Sequence, residues 1–206
     1  MTPATELPRA RDATARARAL VDATTDLEAP SLLPGWTRAH VVAHLAGNAR
    51  SHLRMLDGAA RGVLVDQYAG GEADRAAGIE ALAASPTEAV RAFHESAVEL
   101  SELWDRLPDW SAPVRPLGRE PRPAYRLVWA RWREVEVHAV DLAAGYEPRD
   151  WPGDFVERLL VELRARPDLP ALDGISGPPH ALAAWLAGRS EGDELTGDLP
   201  PLPEWC

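Results

Sequence analysis

Apolar residues recur at helical spacing over several long segments of the chain. Residues 5–24 place apolar side chains three and four positions apart with arginines between them, which predicts a first helix. Thr37 is a suitable N-cap for a second helix, which we expect to run to about Leu56 and to end at Asp57-Gly58. The residues that follow, 58–84, are rich in glycine and alanine and predict a loop with at most a short helical turn.

The second half of the pattern predicts two more long helices. The segment SPTE at 85–88 combines an N-cap serine, a proline at the first helical position and a glutamate at the third, so a third helix should begin there and reach about Leu107. A fourth helix is predicted from about Ala124 to Ala144, with Gly145 as the residue that ends it. Four long helices joined by uneven loops predict a helical bundle.

The C-terminal quarter has a different pattern. Two shorter amphipathic helices are predicted at 154–166 and 179–188, and the tail from Arg189 onward is acidic and rich in proline. We place a boundary at 146–153. The sequence therefore predicts a mainly α protein, with a helical bundle over 1–145 and a small α or α+β domain or layer over 146–206.

The composition excludes several functions. The formal net charge is −10, and all 22 basic residues are arginine, so nucleic-acid binding without sequence preference and lysine Schiff-base chemistry are both disfavoured. Cys206 is the one cysteine, which excludes an internal disulfide, and we assign it no role. With no apolar run long enough for a bilayer and no secretory signal pattern, we expect a cytoplasmic protein without nucleic-acid or membrane partners.

Two of the predicted long helices carry residues of the types that bind metals. His40 and His44 are one turn apart on the second helix, and Glu134 and His138 are one turn apart on the fourth. Glu136 lies between the latter two but points about 200° around the helix. His44, Glu134 and His138 would form a His₂Glu set that leaves a fourth position open on zinc. The spacing alone is equally compatible with hydrogen bonds or ion pairs within each helix.

Other residues near these pairs are given structural roles. For Trp36 and Trp132, packing in the core is favoured over lining the pocket. His52, His94 and His180 are interpreted as surface or supporting residues.

Four stretches, in order along the chain, are similar to one known family. They are SLLPGWT at 31–37 with HLAGN at 44–48, QYAGGEAD at 67–74, RWREVEVHAVDL at 131–142, and WLAGR at 185–189 with LPPLPEW at 199–205. Together they resemble the mycothiol-dependent maleylpyruvate isomerase family of the DinB-like helical bundles. The resemblance implies a DinB-like metal-binding four-helix bundle over 1–145, followed by the small C-terminal domain or layer over 146–206.

The resemblance also implies a site. It places Zn²⁺, or another divalent metal, on His44, Glu134 and His138. It makes Arg189 a catalytic residue that holds either a substrate carboxylate or part of mycothiol, and Asn48 is a further candidate for cofactor binding. No ligand role is carried over to His40. The implied partners are a small-molecule substrate and a low-molecular-weight thiol, with the chain a monomer or a small homo-oligomer.

The activity implied by the resemblance is cis–trans isomerisation of maleylpyruvate to fumarylpyruvate, in aromatic degradation through gentisate, by reversible addition of a thiolate. An S-transferase that conjugates mycothiol to an electrophile is one alternative. A DinB-like bundle that binds a metal or a partner without turnover is another. A protein whose nucleophilic thiol arrives with a cofactor needs no cysteine of its own, and without lysine an anionic substrate must be held by arginine, metal or neutral donors.

Overall fold

A computed structural model describes residues 3–203, and the mainly α class predicted from the sequence is confirmed. Cys206 lies outside the described residues. Within them there are seven α-helices, a short antiparallel hairpin and a 3₁₀ turn at Pro148–Asp150. In chain order the elements are α1 (Glu6–Ala23), α2 (Arg38–Ala60), α3 (Gly71–Ala83), α4 (Pro86–Arg106), β1 (Pro113–Val114), β2 (Arg122–Pro123), α5 (Arg126–Asp141), α6 (Gly153–Arg164) and α7 (Pro179–Leu186).

The four long helices α1, α2, α4 and α5 pack together as a bundle. Helix α2 lies mainly against α4 and α1 mainly against α5, and α2–α5 and α1–α4 contacts close the bundle. Each helix turns an apolar face inward, and the fully buried core includes Ala17, Leu45, Phe93 and Val135. Residues on the inner faces of α2 and α5 are therefore brought within reach of each other.

The start of α2 is as predicted, but its end is not. Thr37 is the N-cap residue, and its backbone N–H donates to Nδ1 of His40 at 3.2 Å. The helix continues past Asp57-Gly58 to Ala60. Gly58 leaves room for the segment that folds back over the helix, because a Cβ there would lie 2.7 Å from Cγ2 of Val65.

Helix α3 corrects the prediction of a loop with at most one helical turn. Its 13 residues are rich in alanine, which favours helix once the chain has a buried face to offer. Ile79 and Ala83 supply that face. The two buried side chains are too few to give a clear apolar stripe in the sequence.

The end of α5 is fixed by contacts with the loop before α2. The helix ends at Asp141, three residues earlier than predicted, and Ala143 adopts a positive φ of 51°. The Asp141 carbonyl accepts the Leu32 N–H at 2.9 Å, and the Ala143 carbonyl accepts from Arg38 at 2.9 Å. These bonds tie the last turn of α5 to the beginning of α2.

The chain divides into two compact units, Met1–Ala144 and Gly145–Cys206. The first contains the bundle. The second contains α6 and α7 and has its own apolar core, which includes Phe155, Leu159 and Leu163. No helix in the described part of the chain has the length and hydrophobicity to cross a membrane.

Candidate metal centre

Helices α2 and α5 bring His44, Glu134 and His138 together inside the bundle. One ligand atom from each residue lies within 4.8 Å of the other two. Oε2 of Glu134 is 3.0 Å from Nε2 of His44 and 3.6 Å from Nε2 of His138. The two imidazole rings meet edge to face, with centroids 4.5 Å apart. Three residues from two helices that are far apart in the chain thus present their ligand atoms to one point.

The environment keeps His44 neutral at physiological pH. Burial, reinforced by the nearby His138, lowers the pKa of His44 from 6.5 to about 4, even though Glu134 favours the protonated form. A neutral imidazole has a lone pair available for a metal.

The pKa of Glu134 is lowered and that of His138 is raised. Burial opposes ionisation of Glu134, but its contacts with His138 and His44 hold its pKa well below the usual value. For His138, burial favours the neutral form, while the hydrogen bond to Asp141 and the nearby Glu134 carboxylate raise its pKa. At neutral pH the cluster therefore contains a carboxylate, a neutral histidine and a histidine whose protonation the two acidic residues favour.

Asp141 supports the cluster and was not predicted from the sequence. Its Oδ2 lies 2.8 Å from Nδ1 of His138, and its side chain is buried. With Nδ1–H donating to Asp141, the lone pair of the neutral form of His138 is on Nε2, the atom that faces Glu134. The buried Nδ1 of His44 has no hydrogen-bond partner among the described residues. The signal that was available is the His-x-x-Asp spacing on α5, which places a carboxylate one turn beyond the histidine.

The residues fit a divalent transition metal. Two imidazole nitrogens and one carboxylate oxygen are the donor set of many catalytic zinc sites, and three protein ligands leave a coordination position open. The side chains of His44 and His138 are 5% and 11% exposed and that of Glu134 is 21% exposed. The cluster is therefore largely buried but retains some access to solvent at Glu134. His44, Glu134 and His138 are the residues that would hold the ion.

His40 and Glu136 are two further residues of metal-binding type on α2 and α5, but both make contacts away from the cluster. Nδ1 of His40 accepts the Thr37 N–H at the start of α2, and its Nε2 lies 3.4 Å from Glu80. Glu136 points to the other side of α5, where it forms an ion pair with Arg16 of α1 and accepts a hydrogen bond from Trp132 at 3.3 Å.

Asn48 makes a contact between helices. It is buried one turn beyond His44, and its Oδ1 accepts from Nη1 of Arg131 at 2.8 Å. Its expected role in cofactor binding remains a prediction.

Arg189 lies just after α7, in the C-terminal unit. Its backbone N–H donates to the Ala184 carbonyl at 2.8 Å, and its Nη1 donates to the Ala187 carbonyl at 2.8 Å. Its expected catalytic and mycothiol-binding roles also remain predictions.

The aromatic residues and the other histidines depart in part from expectation. Trp132 is in the core as predicted, but Trp36 is half-buried and lies against His40 and His44, with ring centroids 6.0 and 5.9 Å away. His52 is 2% exposed, so it is a core residue rather than a surface one. The four-residue pattern from His40 through His44 and Asn48 to His52 could have signalled this continuous inward face of α2.

Comparison with known proteins decides the family. Residues 7–143 match the family model described as the mycothiol maleylpyruvate isomerase N-terminal domain. The chain belongs to this family. The family predicted from the four motifs is thereby confirmed, and with it the interpretation of the chain as an enzyme of this family.

Solved structures show the same fold over the whole chain. A crystal structure of the mycothiol-dependent maleylpyruvate isomerase is 26% identical, covers 100% of this chain and 98% of its own, and has a TM-score of 0.90. The structure of a histidine-to-alanine mutant of that isomerase is 24% identical, with the same coverage of both chains and the same TM-score of 0.90. None of the curated proteins compared with the chain matches it.

Proposed function

We propose that the chain is a zinc- and mycothiol-dependent cis–trans isomerase that converts maleylpyruvate to fumarylpyruvate. The observation that carries the proposal is the convergence of His44, Glu134 and His138 to within 4.8 Å in a member of this family. A cis double bond becomes trans when a nucleophile adds to it, the resulting single bond rotates and the nucleophile leaves again. Mycothiol would supply that nucleophile and would be returned unchanged.

A bound zinc would supply a Lewis acid that favours the thiolate form of a thiol at neutral pH. The chain's own residues prepare the site for it. His44 is held neutral by burial, so one of its ring nitrogens carries a lone pair near pH 7. Asp141 accepts from Nδ1 of His138 and so directs the lone pair of that ring toward Glu134. The Glu134 carboxylate reduces the positive charge of the centre relative to an all-histidine site.

The remaining roles concern the anionic substrate. Maleylpyruvate carries carboxylates, and because the chain has no lysine its binding cation would be an arginine. We propose Arg189 for this role, through the paired N–H donors that a guanidinium presents to a carboxylate. Asn48 is proposed as a residue that fixes the geometry of α2 beside the site.

The decisive experiment follows the thiol as well as the substrate. Purified protein, zinc and maleylpyruvate are incubated with and without mycothiol, and fumarylpyruvate and free mycothiol are both quantified. We expect many turnovers per mycothiol with no loss of free thiol. Consumption of mycothiol in step with the substrate would replace the isomerase with an S-transferase. The absence of bound metal, together with no turnover of maleylpyruvate, would favour a non-catalytic bundle.

A further inference from the structure

Arg131 is a buried cation between α2 and α5 that the reaction proposed above does not use. It is 0% exposed, and its Nη1 donates to the Leu45 carbonyl and to Oδ1 of Asn48, each at 2.8 Å. Both acceptors belong to α2, so one nitrogen of an α5 side chain bonds the facing helix at two points. Burial lowers the pKa of Arg131 to about 10, so the guanidinium keeps its charge at pH 7.

These two hydrogen bonds lie beside the candidate metal ligands along both helices. On α2, Leu45 directly follows His44, and Asn48 is one turn beyond it. On α5, Arg131 comes about one turn before Glu134. The bonds therefore join α2 to α5 within about one turn of the place where His44 meets Glu134.

Stability alone does not account for a charge at this position. Burial lowers the pKa of Arg131 more than the nearby Glu134 and Tyr68 raise it. Its Nε and Nη2 are buried and have no hydrogen-bond partner among the described residues. A buried charge in such a setting is costly, and well-packed apolar side chains often replace buried charged groups without loss of stability. The bonds to α2 are therefore what Arg131 provides and an apolar residue would not.

We infer that Arg131 is a positioning residue for the metal centre. Its bonds to Leu45 and Asn48 hold α2 and α5 at the separation that brings His44 to the ligands on α5. A metal site needs its ligands kept in place to within about 0.5 Å, so a fixed distance between the two helices contributes directly to metal affinity. The inference rests on the metal centre of the proposed function, but not on the reaction proposed there.

A positioning role and a purely electrostatic role of Arg131 have opposite consequences for zinc. A cation repels a second cation nearby, so if only its charge mattered, removing Arg131 should strengthen zinc binding. If its hydrogen bonds hold the ligands in place, removing them should weaken zinc binding, as loss of a contact behind a metal ligand does by about 10- to 100-fold. The direction of the change in zinc affinity therefore distinguishes the two roles.

The test replaces both partners with apolar residues, combining Arg131→Met with Asn48→Leu in the full chain. We expect the dissociation constant for zinc to rise about tenfold or more, measured by competition with a chromophoric chelator. Urea denaturation in EDTA should give a midpoint equal to or above that of the wild type, because both buried polar partners are removed together. A purely structural residue would lose stability instead.

The ion pair between Arg16 and the buried Glu136 supplies the matched control. It joins α1 to α5 on the side of α5 away from the cluster. Arg16→Met combined with Glu136→Gln should bind zinc as the wild type does, and the glutamine keeps an acceptor for Trp132. A tenfold loss of zinc affinity in this control as well would reflect the packing of α5 in general and would overturn the inference.

The remaining outcomes also decide the matter. Should the variant at Arg131 and Asn48 fail to fold, Asn48→Ala removes one acceptor, keeps the charge and should also raise the dissociation constant about tenfold. Zinc affinity equal to or above that of the wild type in either folded variant would overturn the inference. A lower urea midpoint together with weaker zinc binding would give Arg131 a structural role instead. A wild type that binds zinc but does not turn over maleylpyruvate would overturn the proposed function and leave this inference standing.

Discussion

Asp141 holds the ring of His138 in the orientation that directs its second nitrogen into the cluster. The two side chains are three residues apart at the end of α5, and Oδ2 of Asp141 is 2.8 Å from Nδ1 of His138. The opposite nitrogen, Nε2, faces Oε2 of Glu134 at 3.6 Å. A carboxylate behind a metal-binding histidine is a common way of setting its tautomer and raising its basicity.

Asp141→Asn should therefore weaken zinc binding while leaving the three ligands in place. The amide is nearly the same size but cannot supply the negative charge that polarises His138. We expect the dissociation constant for zinc to rise about 10- to 100-fold, measured by competition with a chromophoric chelator. Asp57→Asn, at an exposed position on α2, is the matched control and should bind zinc as the wild type does. Equal zinc affinity of the Asp141→Asn variant and the wild type would remove the supporting role of Asp141.

The ligand set itself is tested by metal content. Changing His44, Glu134 or His138 to alanine should reduce bound zinc well below one ion per chain, because two protein ligands hold zinc far less tightly than three. Glu136→Ala should keep its zinc, since Glu136 lies on the other side of α5 with Arg16. Elemental analysis of the four purified variants checks this. Similar zinc content in all four would show that the ion is not held by this cluster.

Much of the centre was predictable because its residues repeat at helical spacing. The pair Glu134 and His138 shares one face of a single helix, so their proximity follows from helix geometry. Their meeting with His44 depends on how α2 and α5 pack, which spacing does not determine. The resemblance to the family supplied that link, and the structure brings the three ligand atoms within 4.8 Å.

What escaped prediction depends on tertiary contacts. Helix α3 buries little beyond Ile79 and Ala83, so its sequence shows no clear amphipathic stripe. Helix α2 continues past Gly58, whose missing side chain leaves room for Val65 to fold back over the helix, a contact that local spacing does not reveal. Arg131 belongs to a motif quoted for the resemblance, yet its full burial depends on carbonyl and amide partners supplied by α2.

Arg189→Met should lower activity without affecting the metal. Methionine has a similar length but no N–H donors, so a carboxylate bound by the guanidinium would lose charge-assisted hydrogen bonds. We expect kcat/KM for maleylpyruvate to fall about tenfold or more, with zinc content unchanged. Arg149→Met, at an exposed position in the same unit, is the control. An unchanged kcat/KM would exclude Arg189 from substrate and mycothiol binding.

His52 should make the folded protein less stable as the pH falls. Burial, with the charge of Arg131 adding to it, lowers the pKa of His52 from 6.5 to about 3. Above pH 6.5 both the folded and unfolded states are neutral at this position, so no pH dependence arises. Between pH 6.5 and 3 the unfolded chain binds a proton that the folded chain does not, and the free energy of unfolding falls by up to about 1.4 kcal/mol per pH unit.

A His52→Gln variant cannot titrate at this position. Its free energy of unfolding should therefore fall by about 2 kcal/mol less than that of the wild type between pH 7 and pH 5. Urea denaturation in the presence of EDTA measures the loss, with the difference between the two proteins at pH 8 as the reference for the substitution itself. An equal loss in both proteins would show that His52 does not titrate between the folded and unfolded states.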